Sequence, residues 1–183
     1  NVSKSGRTIL FVSHNMASMK ALCKKGILLE RGKVSYTGKM RETIDHYLST
    51  ANKTSYSGEI PATASSINTG VVKFKKFMLL DKEGNAIDSV NYLAPMYLYF
   101  EADASEQLPD SLIDVRINTL DGIELIHAMN RHSSSEKKSL KKGVNCIHCK
   151  LKNQLQPGKY SFTIGIHQTN GATLDYVENI FDF

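Results

Sequence analysis

The 183-residue chain contains no tryptophan. A flat ring for a ligand to stack on must therefore come from Tyr or His. Three cysteines, Cys23, Cys146 and Cys149, are too few for a disulfide framework and fit a reducing compartment. No apolar run approaches the roughly 20 residues that span a bilayer. The most apolar early run, Thr8 to Val12, is too short for the core of a secretory signal. Cytoplasmic residence is the expectation. No Gly-x-Ser-x-Gly elbow occurs, and no nucleophile and base lie together in the sequence.

What is present is uneven. Residues 1–53 hold ten Lys or Arg against three Asp or Glu, whereas residues 54–183 are slightly acidic. The basic side chains are scattered along the first part, as on a solvated face, and form no patch of the kind nucleic acid requires.

Residues 6–48 alternate between short elements. Thr8 to Val12 reads as a buried strand ending in Ser13-His14. Asn15 can cap a helix with Met16, Met19 and Cys23 on one face. Ile27 to Leu29 is a second strand, and Arg31-Gly32 turns it into Lys33 to Tyr36. A second helix places Met40, Ile44, Tyr47 and Leu48 on one face. Residues 51–70, rich in Ser, Thr, Ala and Asn, have linker composition. From Val71 the pattern is all-β, and the expected strands include Tyr92 to Glu101, Thr173 to Val177 and Ile180 to Phe183. Ile113, Val115 and Ile117 alternate with Asp114, Arg116 and Asn118, while Tyr160, Phe162, Ile164 and Ile166 share one face. Turn signals stand at Glu83-Gly84-Asn85, Asp121-Gly122, Pro157-Gly158 and Asn170-Gly171. About eight strands, each with one apolar face, predict a mainly β chain: an immunoglobulin-like or jelly-roll antiparallel sandwich preceded by a small α/β piece.

The ordered series of strand, Ser13-His14, helix ending in Leu22-Cys23-Lys24-Lys25, hairpin Gly26 to Val34, and Thr37-Gly38 before the helix Met40 to Leu48 resembles the ATP-binding subunit of ABC transporters. Ile44-Asp45-His46-Tyr47-Leu48 resembles the polysaccharide-export branch, of the O-antigen type. Over residues 56–183 the chain resembles the C-terminal carbohydrate-binding sandwich of that branch. The features that carry this are the Asp81 to Gly84 turn, Leu120-Asp121-Gly122, Pro157-Gly158-Lys159-Tyr160, and Thr173-Leu174-Asp175-Tyr176 leading to Phe181-Asp182-Phe183. The resemblance implies three parts: a C-terminal remnant of the nucleotide-binding domain over 1–50, a linker over 51–70 and a carbohydrate-binding sandwich over 71–183. It makes His14 the switch histidine of a full-length parent that would use ATP and Mg²⁺. The family's phosphate loop, signature sequence and Asp-Glu strand do not occur in these 183 residues, so the chain itself is expected to be no enzyme and to carry no cofactor.

The expected partners are the exported polysaccharide, a transmembrane permease and a second copy of the subunit, at the cytoplasmic face of the inner membrane. A sandwich that only dimerises or docks, without binding glycan, is the alternative. Sugars need planar hydrogen-bonding groups and aromatic faces. Tyr97 and Tyr99, two residues apart on one strand face, and His127, Asn130, Arg131 and His167, near strand ends, are the glycan-binding candidates. Core packing is the competing reading for the tyrosines, and ordinary loop solvation for the others. Cys146-Ile147-His148-Cys149 has the look of a metal motif. Three residues is an odd offset, however, and on a strand the two thiols point to opposite faces.

Overall fold

A computed structural model describes residues 8–13, 16–30, 32–51, 58–132 and 138–183, with the side chains of residues 17 and 48–51 left aside. The chain divides into two compact units. One comprises residues 1–53 with 120–123, and the other residues 54–119 and 124–183.

In the first unit, α1 (Met16–Leu22) leads to an antiparallel hairpin of β1 (Lys25–Glu30) and β2 (Lys33–Lys39), followed by α2 (Met40–Ala51). Helix α2 starts where Glu42 reaches back to accept from the Lys39 amide and the Thr43 hydroxyl donates to the Lys39 carbonyl. Its Met40 and Ile44 are buried, as the helical spacing predicts, while Tyr47 is exposed. Gly26 lets the helix lie close, because a Cβ there would fall 2.7 Å from Thr43. Thr8 to Val12 forms no strand. Among the described residues nothing pairs with it, and Leu10 and Val12 stand 85% and 94% exposed. An apolar β-branched run becomes a strand only when a neighbour takes up its N–H and C=O groups. His14, Asn15 and Arg31 lie outside the described residues.

The second unit is an antiparallel sandwich. Its strands are β3 (Gly58–Glu59), β4 (Ile67–Asn68), β5 (Val72–Leu80), β6 (Met96–Ala104), β7 (Leu112–Thr119), β8 (Glu124–Met129), β9 (Gly143–Leu151), β10 (Tyr160–His167) and β11 (Thr173–Asp182). One sheet has the order β4-β11-β10-β7-β8, and the other β3-β5-β6-β9. Within 51–70, Gly58–Glu59 pairs with β5 and Ile67–Asn68 with β11. The segment from Tyr92 to Glu101 enters its strand only at Met96. Asn91 to Ala94 make a turn, and Pro95 has no N–H for the ladder. The two expected last strands are one, β11, bulged where Asn179 takes φ 49°, a conformation Asn tolerates.

The inward faces meet in one core. Phe77 of β5 packs 5.4 Å from Phe162 and 5.9 Å from Phe181 on the opposite sheet, and lies 6.4 Å from Phe100 beside it. Each such fully buried side chain contributes roughly 1.5–3 kcal/mol. The two sheets are also tied by a buried carboxylate. Asp175 of β11 accepts from the Phe74 amide at 2.7 Å and from Asn68 Nδ2 at 2.8 Å. Its removal orphans the Phe74 N–H in the core. Asp175→Ala is therefore expected to lose about 2 kcal/mol. Urea titration should show this as a lower midpoint at unchanged slope; an unchanged midpoint would mean that the tie contributes nothing.

Candidate functional site

The outward face of the five-stranded sheet carries the densest polar cluster of the sandwich. On β7, Ile113, Val115 and Ile117 turn inward, so Asp114, Arg116 and Asn118 turn out. Antiparallel register sets Arg116 opposite His127 on β8 and opposite Thr163 on β10, and Asp114 opposite Gly165. Gly165 in turn lies opposite Tyr176 on β11. Four strands thus bring one patch together from residues up to 62 positions apart.

Asp114 is the hub and has no solvent exposure. Its Oδ2 accepts from Arg116 Nε at 2.9 Å and faces His127 Nε2 at 3.0 Å, while its Oδ1 faces His167 Nε2 at 2.8 Å. A carboxylate only accepts, so each Nε2 facing it carries the hydrogen. That leaves His167 Nδ1 to Thr173 Oγ1, at 3.0 Å. Arg116 bridges outward, donating from one terminal nitrogen to Glu124 at 3.0 Å, with its guanidinium carbon 5.5 Å from the Tyr176 ring centre. Burial works against the Arg116 charge, but the Asp114 hydrogen bond, together with the electrostatics of Tyr176, Asp114 and Glu124, outweighs it, so the guanidinium is held above its ordinary pKa. Burial also pushes the Tyr176 phenol up, against the pull of Arg116, and keeps it a neutral donor and acceptor.

Gly165 makes the cluster possible. A Cβ there would fall 2.2 Å from Asp114 Oδ1, 2.6 Å from His167 Nε2 and 2.9 Å from the Tyr176 ring. The carboxylate and the imidazole meet in the space that the absent side chain leaves.

The sequence-predicted residues separate. His127 and His167 come together around Asp114. Asn130 lies beside them in chain order, in a single 3-10 turn, but its amide serves the backbone: it accepts from the Ile113 and Arg131 amides and donates to the Ser111 carbonyl. Arg131 is exposed in that same turn. Tyr97 and Tyr99 belong to β6 of the other sheet and stay outside the core, whose β6 members are Met96, Leu98, Phe100, Ala102 and Ala104. Lys150 sits 5.4 Å from the Tyr97 ring centre, and Tyr99 lies beside His148 and donates to Glu101. Hydrogen bonding to Cys146 first, and to Glu101 next, pushes the Tyr99 phenol up. Cys146 is exposed on this outer face, and Cys149 packs against the core from the opposite side of the strand. Asp114, Arg116, Glu124, Gly165 and Tyr176 were not singled out from the sequence as site residues. For Asp114 and Arg116 the signal was there, as a charged pair in the middle of a β-branched strand.

Chemically, the patch offers a guanidinium and an exposed carboxylate, both planar and bidentate, with an imidazole and a phenol alongside. Two carboxylates stand against one guanidinium, so the patch has no surplus positive charge for a phosphate backbone.

Residues 63–183 match the family described as Wzt C-terminal domain. The crystal structure of the C-terminal domain of Wzt superposes with a TM-score of 0.61 at 18% identity, covering 70% of this chain and 80% of that one, which supports a shared fold. Two curated relatives are similar over 44 residues, 24% of this chain. They are the teichoic acids export ATP-binding proteins TagH of Bacillus anthracis, at 39% identity, and of Lactiplantibacillus plantarum, at 41%. The match spans only 8% and 12% of their respective lengths.

Proposed function

This chain belongs to the Wzt C-terminal domain family through residues 63–183, and on that premise we propose that its sandwich captures an exported glycan on the Asp114 face while the subunit works in an ABC exporter. The observation that carries the reading is the outward polar cluster. A buried carboxylate orients Arg116, His127 and His167 before any ligand arrives, which reduces the ordering a sugar would otherwise impose on binding. Glu124, Arg116 and Tyr176 then present groups that match vicinal hydroxyls.

A module that only docks or dimerises would be expected to turn a broad apolar surface outward. This face is instead charged and hydroxyl-rich. The partners we propose for it are a transmembrane permease and a second copy of the subunit, at the cytoplasmic face of the membrane; membership of the family and similarity to export ATP-binding proteins support this reading. No helix among the described residues is long and apolar enough to cross a membrane.

Two measurements test the reading. In calorimetry against the surface polysaccharide of its own host, the chain should bind saturably, and Arg116→Ala should weaken binding at least about tenfold, as expected when a charge-assisted pair is lost. Equal binding by the variant, or none by either protein, removes the Asp114 face from the account. In a phosphate-release assay the chain should hydrolyse ATP no faster than its His14→Ala variant. Faster turnover by the unaltered chain would contradict a non-catalytic module.

A further inference from the structure

A second cleft, of about 250 Å³, lies between the β5–β6 loop and the β9–β10 loop, and its lining contains no charged side chain. Ser89, Tyr92, Asn153, Gln156 and Tyr160 supply its polar groups, and Phe183 adds apolar surface. An uncharged lining of amides, hydroxyls and aromatic rings complements an uncharged ligand that is itself half hydroxyl and half C–H.

The cleft is also preorganised. Asn153, 8% exposed, donates from Nδ2 to the Asn91 carbonyl at 3.1 Å and accepts at Oδ1 from the Leu155 amide at 3.1 Å, so one buried amide clamps both loops. The clamped turn closes with the Ala94 amide on the Asn91 carbonyl and forces Leu93 to φ 62°, where glycine is the usual occupant. Such a conformation persists only where surrounding contacts over-determine it, and it recurs at ligand clamps. Its effect here is to hold Tyr92 over the solvent, 55% exposed. Among the described residues, neither Tyr92 nor Gln156 has its polar group engaged within the chain.

We infer that this cleft is a second sugar site, taking one uncharged pyranose ring stacked on Tyr92 and hydrogen-bonded by Gln156, with Asn153 holding the two loops in place. The inference rests on the reading of the sandwich as a glycan binder, but on none of the residues of the Asp114 face. The test is NMR of the isotopically labelled chain titrated with the methyl glycosides of glucose, mannose, galactose and N-acetylglucosamine, and with a hexose phosphate. At least one neutral glycoside should move the Asn153 and Gln156 side-chain amides and the Tyr92 ring saturably. Tyr92→Ala and Gln156→Ala should each weaken that response about tenfold, the scale of one aromatic or polar contact. Signals of His127 and His167 report the other face separately. Silence of Tyr92, Asn153 and Gln156 toward every glycoside overturns the second site, whether or not the histidines respond. So does tighter binding of the hexose phosphate, or an undiminished response in Tyr92→Ala.

Discussion

Asp114→Ala should abolish glycan binding and destabilise the sandwich by about 3 kcal/mol. Three donors converge on this one carboxylate, and removal strips all three at once. Breaking a fully buried charge pair costs about 3–5 kcal/mol. The lower end applies here because Arg116 and His127 are about 30% exposed and can turn to water, whereas His167 is 12% exposed and cannot turn as freely. Asp114→Asn separates the two effects. It preserves shape, but its Nδ2 sets a donor either against the Arg116 Nε–H, where the two repel, or against His167 Nε2, which must then give up its hydrogen and take the other tautomer. The expected result is a loss of binding close to that of Asp114→Ala with a smaller change in urea midpoint. Binding retained in Asp114→Asn would show that the carboxylate does not position the face.

Gly165→Ala should remove binding at least a hundredfold while leaving the core intact. The added methyl needs space that Asp114 Oδ1 and His167 Nε2 occupy, at 2.2 and 2.6 Å. Neither group can simply swing aside. Asp114 is fully buried, and His167 is held on its other nitrogen by Thr173. The Asp114–His167 contact must therefore open and both groups leave their places; at about 1.5 kcal/mol for each hydrogen-bonding group lost to the ligand, that is about a hundredfold. Overpacking of this kind destabilises by about 1–3 kcal/mol, less than the loss at Asp114. Because position 165 faces away from the core, melting should stay cooperative, with circular dichroism unchanged at low temperature. Full binding by Gly165→Ala would show that the Asp114–His167 contact is dispensable.

The period-two alternation of Ile113, Val115 and Ile117, and of Phe162, Ile164 and Ile166, made the sandwich legible, because an apolar face two residues apart has to meet another such face. Gly84 and Gly171 mark turns that take φ 90° and 91°. The strand start at Met96 was missed because Tyr92 looks like a strand residue, while Pro95 and the Asn91–Ala94 turn decide the matter locally. Thr8 to Val12 has strand composition and, among the described residues, no strand partner, which composition cannot reveal. The cluster around Asp114 was half legible. His127 and His167 stood out as polar residues at strand ends, but their common partner Asp114 is fixed by the β7–β8 and β7–β10 registers, which are long-range facts. Gly165 carried no signal at all, since its role lies in what its missing side chain lets its neighbours do. Asn130 stands apart from that cluster, and its bonds to the Ile113 and Arg131 amides and the Ser111 carbonyl are likewise invisible in the sequence.

The proposed function puts the glycan on the outward face of β7, β8, β10 and β11. The most direct test is a chemical-shift map of the labelled chain titrated with oligosaccharides cut from the host's own surface polymer, recorded for the unaltered protein and for Gly165→Ala. Saturable movement of Arg116, His127, His167 and Tyr176, absent in the variant, is the predicted result. Binding that leaves those four signals still, or that survives in Gly165→Ala, would contradict it.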